Sequence, residues 1–136
     1  MRAYCYMQLS QRFHYAWFMG KSDEAKNGNG LVLRLDTSTG SMGLSSANDT
    51  YAQITTDLNE AIAVLEKDAY KRNAATENYQ INKDVAYAVY ARAALVKGDY
   101  ATAAQYAQKA RQDYPLMSKK DYFAGFNTPT SEWIWS

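Results

Sequence analysis

Apolar residues recur along this chain at intervals of three and four positions, the spacing that aligns them on one face of an α-helix. The first such run predicts a helix from Met1 to about Phe18. Its predicted buried face consists of Tyr6, Leu9, Phe13 and Trp17, widened by Cys5 and Ala16. This first element is therefore expected to be amphipathic and to need a packing partner.

A second apolar run lies in the middle of the chain and predicts a helix that extends to about Glu66. Thr50 and Gln53 have the spacing of a capping box, which predicts where this helix begins. Its apolar stripe consists of Tyr51, Ile54, Leu58, Ala61, Ile62 and Leu65. The polar residues expected on its solvated face are Asp57, Asn59 and Glu60.

The stretch from Asn82 to Pro115 predicts a third and a fourth helix joined by a tight turn. Asn82 is the expected cap of the third helix. Gly98 can take the left-handed conformation that ends one helix, and Asp99 can accept the amide hydrogens that begin the next. The residues expected on the seam of this hairpin are Tyr87, Tyr90, Ala91, Ala94, Tyr100, Ala103, Ala107 and Ala110.

The order of aromatic, small and turn residues in the hairpin resembles a tetratricopeptide repeat, a pattern of about 34 residues. The matching residues are Tyr87, Ala91, Gly98, Asp99, Tyr100, Ala103, Ala110 and Pro115. Because one such hairpin cannot bury its own apolar face, it needs neighbouring helices. The resemblance predicts an all-α fold of tetratricopeptide-like helical hairpins, an α-α superhelix, in which the first helix pairs with the second and the third with the fourth.

The segments outside these helices give weaker patterns. Residues Gly20 to Asn48 are rich in small polar residues and predict a long ordered loop. An apolar island, Leu31 to Leu35, interrupts it; this island could be a short extended segment, but the sequence offers no strand to pair with it. Lys67 to Ile81 is a polar connection. The apolar residues between Pro115 and Phe126 are expected to pack against the hairpin as a short helical turn, and Glu132 to Trp135 alternate as in a strand.

Composition limits the class of protein. A chain of 136 residues with 47% hydrophobic residues can form one domain with a core, and we expect residues 1–136 to be a single helical region that is part of a longer chain. The formal net charge is +1, and the basic residues are scattered. Nucleic acid is therefore not an expected partner, because phosphate binding needs clustered basic side chains.

Cys5 is the only cysteine, so the sequence predicts neither an intrachain disulfide nor a cysteine-based metal site. We expect it to be a small buried side chain. No apolar run reaches the length of about 18 residues that a membrane-spanning helix needs. The residues from Met1 to Leu9 also lack the apolar core of a signal peptide, so Cys5 is not expected to carry a lipid.

Taken in order, these pieces resemble the SusD/RagB family of outer-membrane glycan-binding lipoproteins. The residues that carry the resemblance to the family's helices are Arg2, Ala3, Tyr4, Tyr6, Met7, Gln8 and Leu9 in the first helix, and Tyr51, Ile54, Asp57, Leu58, Asn59, Glu60 and Ala61 in the second. The Gly98 turn follows. The closing part of the pattern is Tyr114, Pro115, Leu116 and Met117, then Glu132, Trp133, Ile134 and Trp135.

The resemblance implies an accessory protein at the bacterial cell surface that captures oligosaccharides and delivers them to a SusC-like, TonB-dependent outer-membrane transporter. The helices would be the scaffold that packs against the transporter and supports a less regular glycan-binding half. Association with the membrane would depend on a lipid anchor that this chain is expected to lack. An alternative from another class is a generic tetratricopeptide adaptor that binds peptides, and a glycoside-processing enzyme is a more remote one.

Catalytic chemistry finds little support in the sequence. His14 is the only histidine. Asp57 and Glu60 are three residues apart on one helix face, whereas glycosidases hold two carboxyl groups about 5 to 9.5 Å apart across a cleft. The glycine-rich segments lack the lysine of a phosphate-binding loop. We therefore expect no enzyme activity and predict no catalytic, cofactor-binding or metal-binding residue.

The stretch from Phe13 to Phe18 contains four aromatic residues, which cannot all face one helical seam. Tyr15 lies about 160° around a helix from Phe13, so it is the best surface candidate, with His14 beside it. Trp17 also fits the apolar face and could be part of the core. His14, Tyr15 and Trp17 are the predicted glycan contacts, and packing against a neighbouring repeat is the alternative.

Overall fold

The structure is a computed structural model that describes residues 1–14, 27, 30–68 and 76–135. Its helices are α1 (Arg2–Phe13), α2 (Ala47–Leu65), α3 (Lys83–Lys97), α4 (Tyr100–Arg111) and α5 (Lys119–Phe123). Helix α1 packs against α2, α2 against α3, and α3 against α4. The predicted all-α, tetratricopeptide-like arrangement is confirmed, and no strand occurs among the described residues.

Helix α1 is shorter and turned differently from the prediction. It ends at Phe13, because His14 has an extended backbone with φ −121° and ψ 157°. Its buried residues are Ala3, Tyr6, Met7 and Ser10. Leu9 is 39% exposed and Phe13 71% exposed. Apolar residues lie on more than one face of the first helix, and the face that contains Met7 is the buried one because it contacts α2.

Cys5 is also on the exposed side of α1, so the prediction of a buried cysteine is wrong.

Helix α2 begins earlier than predicted. Ser46 and Asp49 form the capping box, in which the Ser46 side chain accepts from the Asp49 amide at 3.0 Å. Thr50 is instead fully buried and donates its hydroxyl hydrogen to the Ser46 carbonyl oxygen at 2.8 Å. The apolar stripe is confirmed: its buried members are Tyr51, Ile54, Leu58 and Ile62.

The turn between α3 and α4 agrees with the sequence. The Asn82 side chain accepts from the Val85 amide, and the Asp99 side chain accepts from the Thr102 amide. Gly98 has φ 79°, in the left-handed region that disfavours a side chain. The capping residues therefore fix the geometry of the hairpin locally.

The seam of this hairpin differs from the prediction at two positions. Tyr100 is 68% exposed and Ala107 is exposed. The aromatic residue that α4 contributes to the seam is Tyr106, whose ring centroid is 4.1 Å from that of Tyr90 and 5.9 Å from that of Tyr87. Tyr100 is the first residue of α4, whereas Tyr106 lies in the middle of that helix, alongside α3.

The apolar island in the long loop lies against α1, where the Arg34 amide donates to the Tyr6 hydroxyl at 2.7 Å and that hydroxyl donates to the Arg34 carbonyl at 3.1 Å. Among the described residues, backbone hydrogen bonds at its start run from the Gly30 amide to the Ser45 carbonyl at 2.7 Å and from the Ser45 amide to the Leu31 carbonyl at 2.8 Å. Leu31 is buried in the same cluster as Met7. The loop therefore covers the side of α1 that α2 leaves open.

Beyond α4 the chain departs from two predictions. Helix α5 makes no extensive contact with the other described helices. The residues from Glu132 to Trp135 form a turn, a bend and irregular backbone rather than a strand. Ile134 packs on the cluster that contains Ile62 and Tyr87, so this segment returns to the helices as a strap.

Candidate functional site

His14 lies where α1 ends, and it is half-buried against the loop. Its amide donates to the Ser10 carbonyl at 3.2 Å. A Cβ atom at Gly30 would lie 2.7 Å from the imidazole Nε2 and 2.7 Å from the Ser45 carbonyl oxygen. His14 is thus in close contact with loop backbone, and it connects the end of the first helix to the start of the described loop.

Tyr15 and Trp17, the other predicted glycan contacts, lie outside the described residues. The geometric argument for Tyr15 assumed that the first helix continued to Phe18. Because the helix ends at Phe13, that part of the argument is wrong. The assignment of His14, Tyr15 and Trp17 as glycan contacts stays a prediction.

A groove of about 500 Å³ lies between α1, α2 and α3. Its lining is mostly aliphatic and includes Leu58, Val64, Leu65, Ile81, Val85 and Val89. Val64 and Ile81 are 69% and 40% exposed, so the groove is accessible from the surface. An aliphatic lining suits the apolar side chains of a peptide better than the hydroxyl groups of a sugar.

Trp135 closes one side of this groove. Its ring meets that of Tyr4 edge-on, with the centroids 5.7 Å apart and the planes at 85°. The indole Nε1 donates to the backbone carbonyl of Tyr79 at 3.0 Å. The sequence did not mark Trp135 as a site residue, because nothing in its local pattern indicates that it returns to the first helix.

An ion pair lines the same groove. The Arg2 guanidinium donates to both carboxylate oxygens of Asp57, at 2.7 and 2.6 Å. Gln53 donates to the same carboxylate at 2.6 Å. These hydrogen bonds, with that from Arg2 the strongest cause, lower the pKa of Asp57 below its ordinary value, and the pair raises the pKa of Arg2. Asp57 is therefore a paired group, contrary to the prediction that it would be a solvated one.

Tyrosines that could have contacted a ligand instead form the core of the α3 and α4 hairpin. The Tyr87 hydroxyl donates to the Glu66 carboxylate. Burial, together with this hydrogen bond, raises the pKa of Tyr87 to about 12. The Lys109 ammonium lies 5.4 Å from the centroid of the Tyr87 ring and 5.1 Å from that of Tyr106. The three rings pack on one another in the seam, where Tyr87 is buried and Tyr90 and Tyr106 are half-buried.

Within the described ranges, no group of three or more histidine, cysteine, aspartate or glutamate side chains could hold a metal ion. The helices in those ranges are too short or too polar to cross a membrane.

The fold is all-α and is built from tetratricopeptide-like helical hairpins. No protein-family profile matches the chain, and no curated protein matches its sequence. Solved structures do match. A crystal structure of a SusD-like carbohydrate-binding protein from Bacteroides vulgatus ATCC 8482 is similar, with a TM-score of 0.80 and 26% sequence identity.

The similarity covers 98% of this chain and 27% of that protein. The chain thus corresponds to about a quarter of the length of the protein it resembles. The resemblance to SusD-like proteins that the sequence predicted is confirmed, and it holds for nearly every element of this chain.

Proposed function

We propose that this protein captures oligosaccharides at the bacterial cell surface and delivers them to a SusC-like, TonB-dependent transporter of the outer membrane. The observation that supports the proposal is the similarity to a SusD-like carbohydrate-binding protein over 98% of the chain. The ordered sequence motifs of the SusD/RagB type give independent support. In this proposal the helices are a scaffold, and the protein binds glycans without cleaving them.

The structure suits a scaffold because its helices are fixed by contacts that do not depend on a ligand. The seam of α3 and α4 is filled by tyrosines, and α1 is tied to α2 by the Arg2 and Asp57 pair. Rigid helices can position the loops beside them, and binding residues are concentrated on loops that a rigid scaffold holds. A lipid anchor on the parent protein would keep it at the outer membrane.

We propose His14, Tyr15 and Trp17 as glycan contacts at the end of α1. An aromatic ring can stack on the apolar face of a sugar, and a neighbouring imidazole can exchange hydrogen bonds with sugar hydroxyl groups. The contact of His14, at the end of α1, with the loop backbone supports the proposal for this residue.

Isothermal calorimetry with maltoheptaose, cellohexaose, xylohexaose and mannohexaose tests the proposal. Tyr15→Ala should weaken binding by about 1 to 3 kcal/mol, the range for stacking on an aromatic side chain. His14→Ala should weaken it less. Tyr100→Ala is the matched control, because Tyr100 is a 68% exposed tyrosine on another helix. Unchanged affinity in the Tyr15 and His14 variants would show that this stretch only packs.

A peptide-binding adaptor is the second candidate, and the aliphatic groove between α1, α2 and α3 is the observation that favours it. A panel of extended peptides distinguishes the two functions. Val64→Asp would place a charge at an exposed position of the groove and should abolish peptide binding. Peptide binding without any glycan binding would favour the adaptor. Release of shorter sugars from the oligosaccharide panel would contradict a non-catalytic role.

A further inference from the structure

The hairpin of α3 and α4 is closed at one end by the Gly98 turn. At its open end, where α3 begins and α4 has just ended, the side chains of Asn82, Asp84 and Tyr114 meet. Asp84 is 7% exposed and Tyr114 is 8% exposed. Aspartate is seldom buried to this degree without polar partners. The position of Asp84 between the two ends of the hairpin therefore calls for an explanation.

The three side chains share one carboxylate oxygen. The Asn82 Nδ2 donates to the Asp84 Oδ2 at 3.0 Å, and the Tyr114 hydroxyl donates to the same oxygen at 3.2 Å. The Asn82 Nδ2 also lies 3.4 Å from the Tyr114 hydroxyl oxygen. With its Oδ1, Asn82 accepts from the Val85 amide at 3.0 Å, which is the cap of α3. The network thus joins the cap of α3 to the chain that leaves α4.

The chemistry of this network fixes a position as well as adding stability. Hydrogen bonds to a charged group are stronger than those between neutral groups, and a buried polar atom that loses its partner is not compensated by water. Asp84 also lies in the first turn of α3, where the positive end of the helix dipole favours a negative charge. Because a hydrogen bond weakens steeply as its angle changes, the network holds Tyr114 in one place.

Tyr114 begins the segment that leads to the strap. Pro115 follows it directly, and the proline ring restricts the backbone there. Two residues further on, the Met117 amide donates to the Glu132 carboxylate at 3.0 Å, and Glu132 is the first residue of the strap. Ile134 of the strap packs on the cluster that contains Ala110, which lies one turn before Tyr114. The strap is therefore attached to the part of the chain that Tyr114 positions.

We propose that Asn82, Asp84 and Tyr114 form a latch across the open end of the hairpin, and that the closed latch holds the strap on the helices. When the Tyr114 hydroxyl leaves Asp84, the segment after α4 gains freedom and Glu132 loses a fixed partner. The strap carries Trp135, which closes one side of the groove between α1, α2 and α3. A buried polar contact in one hairpin thereby controls a wall of the groove beside another helix pair.

Hydrogen exchange measured by mass spectrometry tests the latch. Tyr114→Phe removes the hydroxyl group and keeps the ring. Exchange in segments 115–119 and 131–135 should become about tenfold faster, the change that corresponds to the loss of one hydrogen bond to a charged group. The Met117 and Trp133 amides carry this signal, because each donates a hydrogen bond within these segments of the folded protein.

Two further variants and a control complete the test. Tyr100→Phe is the control, since it removes a hydroxyl group from a 68% exposed tyrosine of the same hairpin and should leave exchange unchanged. Asp84→Ala removes the shared acceptor and should give the same local increase as Tyr114→Phe. In the double variant, the increase should equal that of the larger single change, because both substitutions open one latch. Circular dichroism of each variant checks the fold.

The location of the change decides the outcome. Unchanged exchange in segment 131–135 of Tyr114→Phe would overturn the proposal, because the strap would then be held without the latch. Equally faster exchange in every helix would show a general loss of stability and would overturn it as well. Multiplied effects in the double variant would show that Asp84 and Tyr114 act separately. Tyr114→Phe decides the question even if Asp84→Ala does not fold, because it keeps the packing of the ring.

Discussion

Gly30 lacks a side chain at a point where the loop meets both His14 and Ser45. A Cβ atom there would approach the His14 Nε2 and the Ser45 carbonyl oxygen to 2.7 Å each. Real Cβ atoms do not come so close to other heavy atoms, so the imidazole or the backbone would have to move. The small residue is therefore needed because of tertiary contact rather than because of an unusual backbone angle.

Gly30→Ala should lower the free energy of unfolding by about 1 to 3 kcal/mol, the usual cost of overpacking. Gly40→Ala is the matched control in the same loop, because no atom lies within 4 Å of the Cβ that it would add. Thermal and urea denaturation measure both variants. Equal stability of the two would show that the close approach at Gly30 is not a feature of the protein in solution.

The Arg2 and Asp57 pair gives a second residue-level prediction, which concerns pH. Hydrogen bonds from Arg2 lower the pKa of Asp57 in the folded protein. The unfolded chain therefore takes up this proton first as the pH falls below about 4. The stabilisation is present above that value and is lost as the pH falls through the folded-state pKa.

Asp57→Asn should lower stability at neutral pH by about 1 kcal/mol, a modest value because Arg2 is 44% exposed. The variant should also lose less stability than the unmodified protein between about pH 4 and pH 2. Urea unfolding at several pH values measures the difference. Asp113→Asn, in the exposed turn after α4, is the control. Parallel pH profiles for the Asp57 variant and the unmodified protein would contradict a specific role for the pair.

At the scale of helices, the hairpin of α3 and α4 depends on which alanines are buried. Ala103 is 8% exposed and Ala110 is 3% exposed, whereas Ala107, one turn from either, is exposed. Small buried residues let two helices approach closely. The exposed alanine adds helix propensity, and its side chain is open to solvent.

Ala103→Leu should therefore destabilise the hairpin by about 1 to 3 kcal/mol, because the larger side chain has no space between the helices. Ala107→Leu, the same change one turn further along α4, should have little effect. Circular dichroism during thermal unfolding compares the two. A smaller loss of stability in the Ala103 variant than in the Ala107 variant would place the close approach of the helices elsewhere.

At the scale of the whole molecule, the strap from Glu132 to Trp135 joins parts that are distant along the chain. Trp135 contacts Tyr4 of α1 and donates to the Tyr79 carbonyl before α3. Ile134 packs on the cluster between α2 and α4. The last described residues therefore close the helical array, although they belong to no helix themselves.

Trp135→Ala should destabilise the protein by about 2 kcal/mol, less than the cost for a fully buried tryptophan because Trp135 is 36% exposed. Trp135→Phe keeps the ring contact with Tyr4 but removes the indole donor, so it should cost less. Hydrogen exchange of α1 amides should also be faster in the alanine variant. Unchanged exchange and unchanged stability would show that the strap does not hold the first helix.

Much of the helical pairing could be predicted from the sequence, because capping residues and apolar spacing act over short distances. Asn82, Gly98 and Asp99 were each assigned the role that the structure gives them. The stripe of α2 was also predicted correctly. The candidate site stays a prediction, since His14 alone of the three proposed contacts lies in a described segment.

The sequence by itself determined that this chain is helical, where the central turn lies and which protein family it resembles, because local hydrogen bonding and apolar spacing decide these features. The tertiary structure alone decided which face of α1 is buried, since Met7 and Leu9 are both apolar and only contact with α2 and Leu31 distinguishes them. It also decided that the aromatic residues of α5 are exposed while Trp135 returns to Tyr4. Burial of any apolar side chain stabilises the fold, but the positions of elements that are distant in the sequence determine which apolar side chains are buried.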